Sequence, residues 1–215
     1  MKKIIALVLA VGMCFSLCSC GDGNNQVVGK WKSLTNLEDY DFFVLNEFKK
    51  DGTGISTNAQ EFRWVKNDDE VAVSIGTGLD SVAVEYKILN FDGIPCLEQR
   101  GEYYIPANKF ESNAPKVKAA IAKQVEEIPA NEVSQAPPED GNFSGNGELR
   151  RYTGKVLTVE SDSLKIDTGG VSLEAKHILP EEIKKIKPDD TVTVVGVLRG
   201  LNKQFELYCS FIVED

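Results

Sequence analysis

Five cysteines, one histidine and two short acidic clusters are the side chains in this 215-residue chain with the types needed for covalent, acid–base or metal chemistry. Cys14, Cys18 and Cys20 crowd into or just after an N-terminal apolar run, while Cys96 and Cys209 stand far apart in the remainder. No Cys-x-x-Cys pair and no Cys/His cluster offers the spacing of a zinc site. A catalytic histidine needs a nucleophile or carboxylate at a defined place, and the sequence supplies no motif for one around His177. That residue is in phase with Val171, Leu173 and Ala175, so it reads as a structural histidine at the end of an apolar strand face. Asp51-Gly52-Thr53-Gly54 and Asp68-Asp69-Glu70 are the candidate calcium ligands. Calcium takes about six or more oxygens, and the alternating acidic loop that supplies them is missing, so both stretches read as hairpin turns and solvated charge. The chain is expected not to be an enzyme and to hold neither a metal nor a cofactor.

The elements that would place these groups begin with the N-terminal run. Lys2 and Lys3 precede 14 apolar or small residues, Ile4 to Leu17. A bilayer core needs about 20 residues of helix, so this is a secretory signal and not a span. Leu17-Cys18-Ser19-Cys20 puts a cysteine where an ordinary cleavage site would have a small residue. The segment resembles the lipobox of bacterial lipoproteins. The resemblance implies a diacylglycerol on the Cys20 thiol, cleavage after Ser19 (residues 1–19 the signal peptide) and residues 20–26 as a lipidated polar tether. Two acyl chains at about 0.8 kcal/mol per buried CH₂ make a durable anchor. By the same resemblance the protein is extracytoplasmic, lipid-anchored to a bacterial membrane, and the style of the signal points to the outer face of the cytoplasmic membrane.

Loss of the signal removes two lysines and takes the formal net charge from −9 to −11. An acidic protein outside the cytoplasm has no evident business with phosphate backbones, and no nucleic-acid partner is expected. Hydrophobic content of 42% is enough for real cores. Cys96 and Cys209 read as two buried thiols, because a bridge between them needs two separate domains docked at one spot; a disulfide formed in an oxidising envelope is the alternative reading.

From residue 27 short apolar alternations are separated by turn signals, and the expected class is all-β, two small antiparallel barrels. Strands are expected near residues 29–35, 41–49, 54–59, 61–66, 71–76, 81–89, 94–99 and 102–106. Val71, Val73 and Ile75 alternate with Ala72, Ser74 and Gly76, the period of a half-buried strand. About eight such strands with short turns point to a closed barrel over residues 27–111. Gly29-Lys30-Trp31, Phe48 to Gly54 and Phe62-Arg63-Trp64 resemble the small lipocalin-like domains of bacterial lipoproteins. Trp31, Phe48, Phe62, Trp64, Tyr86 and Tyr103 are the candidate lining of a ligand cavity, with plain core packing as the other account of the same residues.

Residues 112–145 read as a connector: an amphipathic helix from Pro115 to Ile128, with Val117, Ile121, Val125 and Ile128 on one stripe, then a flexible linker rich in Pro, Gly and Ser. Residues 146–215 read as five strands near 151–160, 163–168, 171–177, 190–199 and 203–213, with a helix over 180–186 after the third. In the last strand Phe205, Leu207, Cys209, Phe211 and Val213 are expected to share one face, and Gly196 marks a bulge in the strand before it. Tyr152 to Val156, Asp190 to Gly196 and Leu207 to Val213 resemble the OB-fold family named for likeness to transfer-RNA anticodon-binding domains. Nucleic-acid binding needs a basic groove with stacking aromatics; this half has ten lysines or arginines against twelve aspartates or glutamates. The expected role is non-catalytic binding at the membrane, of a small apolar molecule, a glycan or an envelope protein. The alternative is a structural or protein-interaction module with no small ligand.

Overall fold

The computed structural model describes residues 26–37, 44–76, 81–129, 148–201 and 204–213. Period-two runs bury one face and leave the other to solvent. Eight of them pair in chain order: β1 (Gly29–Ser33), β2 (Leu45–Phe48), β3 (Thr53–Ser56), β4 (Glu61–Asn67), β5 (Glu70–Ile75), β6 (Val82–Phe91), β7 (Ile94–Gln99) and β8 (Glu102–Pro106). β8 returns antiparallel to β1 through Trp31↔Pro106, Lys32↔Ile105 and Ser33↔Tyr104, which closes the barrel and removes its edges. β4 shows the pattern plainly, with Phe62 and Trp64 buried and Glu61, Arg63 and Val65 exposed. Asp68 and Asp92 hold positive φ in the tight turns after β4 and β6, a conformation their short polar side chains tolerate.

A 3₁₀ turn, Ala107–Lys109, leads directly from β8 into α1 (Phe110–Gln124). The helix therefore begins before the expected Pro115 and ends before Ile128. Phe110 and Ala114 extend the buried stripe of Val117 and Ile121 backwards, and that burial holds a helix through Pro115. Val125 is already extended, and Ile128 pairs through its backbone with Arg151 instead of completing a helical stripe. Residues 130–147, most of the expected linker, and Cys20 with its signal lie outside the described residues.

The second barrel is built from β9 (Leu149–Val159), β10 (Leu164–Asp167), β11 (Ser172–Ala175), β12 (Thr191–Leu201) and β13 (Gln204–Val213), with α2 (Pro180–Ile183) between β11 and β12. It closes in the order β10-β11-β13-β12-β9. One pairing, β11 with β13, is parallel. A ring of five strands cannot alternate direction all the way round, so a wholly antiparallel closure is impossible here.

The strict alternation expected in β13 is broken. Val195 pairs with Phe211 and Val197 with Tyr208, so Gly196 faces the two residues Cys209 and Ser210 in a bulge, with Cys209 at φ 50°. A bulge moves every later side chain to the opposite face. Phe205, Leu207 and Ile212 fill the second barrel, whereas Cys209 enters the core of the first and Phe211 joins a third cluster. That third cluster unites Leu34, Cys96 and Ile105 of the first barrel, Phe110, Val117 and Ile121 of α1, and Leu179, Val195 and Phe211 of the second half. The two barrels thus share a core, with α1 wedged between them. A buried ion pair from Lys118 to Glu182 and a hydrogen bond from the Arg151 guanidinium to Ala122 O (3.3 Å) fasten the helix to the second barrel.

Candidate functional site

Five of the six aromatic candidates meet inside the first barrel, where they pack on one another. Phe48 stands edge-on to Phe62 (5.3 Å between ring centroids) and to Trp64 (5.4 Å), and Trp31 and Tyr86 complete the same cluster. Edge-to-face contact suits the ring quadrupoles. The two indoles are also tied down: Trp31 Nε1 donates to Val27 O (2.7 Å) and Trp64 Nε1 to Thr53 O (2.9 Å) and Lys49 O (3.1 Å). Side chains locked by both ring packing and hydrogen bonds behave as core.

Tyr103 is the exception. It lies opposite Glu98 on the outer face of β8, tilted against Phe91 at 6.4 Å, and packs on the third cluster. The inward tyrosine is its neighbour Tyr104, which pairs with Leu97 and stands edge-on to Tyr86 at 5.9 Å. Successive side chains on a strand face opposite ways, so a one-residue error of phase exchanges the two.

The turn clusters behave as turns. Asp51 Oδ1 accepts from the Thr53 amide (3.0 Å) and hydroxyl (2.7 Å), and these bonds hold its carboxyl below the ordinary range. Among the described residues no group of three or more His, Cys, Asp or Glu is arranged to hold a metal ion. An open surface depression of about 390 Å³ lies beside the β6–β7 turn, lined by Gln26, Ile88, Leu89, Asn90, Gly93 and Pro95.

The groups that sequence patterning did not single out gather where the barrels meet. The end of the first barrel that carries Ser33, Gln99 and Glu102 is covered by β12 and β13: Tyr208 and Cys209 pack on its core, and the Asn36 amide donates to His177 O (2.6 Å) across the seam. Just inside lies Glu102, 8% exposed, next to Ser33 and Tyr104. Burial pushes its carboxyl up to about 7, with the hydroxyls of Tyr104 and Ser33 pulling the other way. On the far side His177 is 1% exposed and stands edge-on to Tyr208 at 4.8 Å. Burial, then Arg199, draws it down to about 4, Lys176 adding to the shift and Asp162 opposing it. Arg199 lies over the Tyr208 ring (4.4 Å) and its Nε donates to Glu206 Oε1 (2.6 Å). Both remaining thiols are free and buried: burial lifts Cys96 to about 12, and Cys209 is raised by burial and by the nearby Glu102. The available signal for Glu102 was its phase, a carboxylate two residues before inward Tyr104.

Comparison of the chain with protein-family models and with curated proteins gives no match.

Proposed function

We propose that this protein is a lipid-anchored component of the bacterial cell envelope with a non-catalytic binding role, and that its partner is another envelope protein. In this reading Cys20 carries the diacylglycerol, residues 21–26 are the tether, and the two barrels are a lipocalin-like module followed by an OB-like one, displayed on the outer face of the cytoplasmic membrane. The sequence of the signal segment supports the anchor. The observation that carries the choice of partner is the aromatic interior of the first barrel, where Phe48, Phe62 and Trp64 fill the space a carried molecule would need. Binding then falls to outer surfaces, on a scaffold whose two halves are held together by a common core. Fold alone does not assign function, and the acidic balance of the chain favours a protein over a nucleic acid.

Carriage of a small apolar molecule is the second reading, favoured by the concentration of aromatics within one barrel. Two experiments separate these claims. Fatty-acid labelling in a bacterial host is expected for the native chain and lost in Cys20→Ser; continued labelling of the variant removes the anchor. Native mass spectrometry of residues 21–215, exported without the lipid, is expected to give the bare polypeptide mass. A reproducible extra mass, one per chain, that disappears with Trp64→Ala would overturn the protein-partner reading and identify a cargo.

A further inference from the structure

We propose that the seam between the two barrels is a proton-operated latch, closed while the Glu102 carboxyl is neutral and released when that carboxyl ionises. The placement of this one side chain carries the argument. Glu102 opens β8 at the covered end of the first barrel, beside Gly101, which abuts Val197 of β12, and two residues before Tyr104, in the cluster that Tyr208 and Cys209 of β13 pack against. Its carboxyl is buried, with the hydroxyls of Tyr104 and Ser33 beside it. The groups that face it are neutral on every side: Ser33 from β1, Tyr86 from β6, Tyr104 from β8, and Tyr208 and Cys209 from β13. Arg199, the cation on the covering sheet, is committed to Glu206 and stacked on Tyr208. His177, with Asp162 and Lys176 acting on it, belongs to the second barrel and travels with it.

Among the described residues a carboxylate formed in that chamber meets no cation that is not already paired, and burying an uncompensated charge is costly. The Tyr104 and Ser33 hydroxyls offset part of that cost, and water is the source of further relief. The first barrel's own wall is a continuous hydrogen-bonded ladder, whereas the covering side is held by apolar contact, the Asn36–His177 bond and the Lys32–Glu181 contact, with α1 fastened to the second barrel by Lys118–Glu182 and Arg151. Ionisation is therefore relieved most cheaply by parting the seam, which uncovers Tyr208 and Cys209 together with the end of the first barrel. Because burial sets the Glu102 carboxyl near about 7, the latch works across neutral pH.

The reporter is the Asn36 amide, whose hydrogen bond crosses the seam, with the Val73 amide in the barrel wall as control. Hydrogen exchange of the full-length chain, corrected for the chemistry of an unstructured peptide, is followed from about pH 6 to about pH 8. The opening equilibrium at Asn36 is expected to rise about tenfold over that interval while Val73 stays level. In Glu102→Gln the Asn36 rise disappears. The same rise in the variant, or no rise in the native chain, overturns the proposal. Should the variant fail to fold, a carbon-13 titration of the Glu102 carboxyl in the native chain decides. Titration near neutrality, with the Asn36 rise tracking it, sustains the latch, and titration in the ordinary carboxylate range ends it.

Discussion

Gly101, in the turn between β7 and β8, lies against Val197 of β12: a methyl group added at Gly101 would sit 3.0 Å from Val197 Cγ2 and 3.5 Å from Leu149 Cγ. This contact locates the covered end of the first barrel at a hairpin tip with no room for a side chain. Gly101 is also at φ 81°, where an L-residue is strained. Gly93 has nearly the same φ, 83°, with nothing within 4 Å of an added methyl, so it isolates the backbone contribution. Gly93→Ala is expected to cost about 1 kcal/mol and Gly101→Ala about 1 kcal/mol more. Chemical denaturation of both variants checks this, and equal losses would mean that the seam gives way without cost.

The aromatic packing of the first barrel predicts a large cavity penalty. Phe48 is 1% exposed and shares ring contacts with both Phe62 and Trp64. Phe48→Ala is expected to destabilise the protein by about 3–5 kcal/mol in urea unfolding. A loss below about 1 kcal/mol would show a loosely filled barrel and revive the carrier reading.

Lys118 is almost fully buried, pairs with Glu182 and lies 5.4 Å from the centre of the Phe211 ring. Removing one partner leaves a charge in an apolar setting. Lys118→Ala is expected to cost about 3 kcal/mol, whereas the double change Lys118→Met with Glu182→Leu should fall within about 1 kcal/mol of the native chain. A double-mutant cycle read by urea denaturation supplies the coupling energy.

Two buried groups at the seam titrate in opposite senses. Glu102 binds its proton more tightly when folded, so its contribution is fully present below about pH 4.5 and is lost as pH rises to about 7. His177 binds its proton less tightly when folded, so its contribution is present above about pH 6.5 and is lost as pH falls to about 4. Each shift is worth about 3 kcal/mol, and between these limits the two losses largely cancel. Stability of Glu102→Gln relative to the native chain is therefore expected to rise by about 3 kcal/mol from pH 4 to pH 7, and that of His177→Asn to fall by a similar amount. Denaturation midpoints at several pH values give both differences, and a flat difference for either variant would refute its assignment.

The sequence by itself determined the two barrels and their strands. Period-two alternation and the Asp-Gly and Asp-Asp turns are local signals, and a strand such as Glu61–Asn67 displays its inner and outer faces without reference to the rest of the chain. Helix limits were less legible, because Pro115 reads as a start signal until the burial of Phe110 and Ala114 is known. The first barrel's aromatic content was visible too, but not the phase that puts Tyr104 inside and Tyr103 outside. What only the tertiary structure decided is the seam. The bulge opposite Gly196 reverses the tail of β13, sends Cys209 into the neighbouring barrel and turns Phe211 toward α1. Glu102 reads as an ordinary strand-end carboxylate until a second barrel closes over it. Burial of that kind depends on which surfaces meet after folding, and hydrophobic periodicity records only the face a segment presents, not what comes to cover its end.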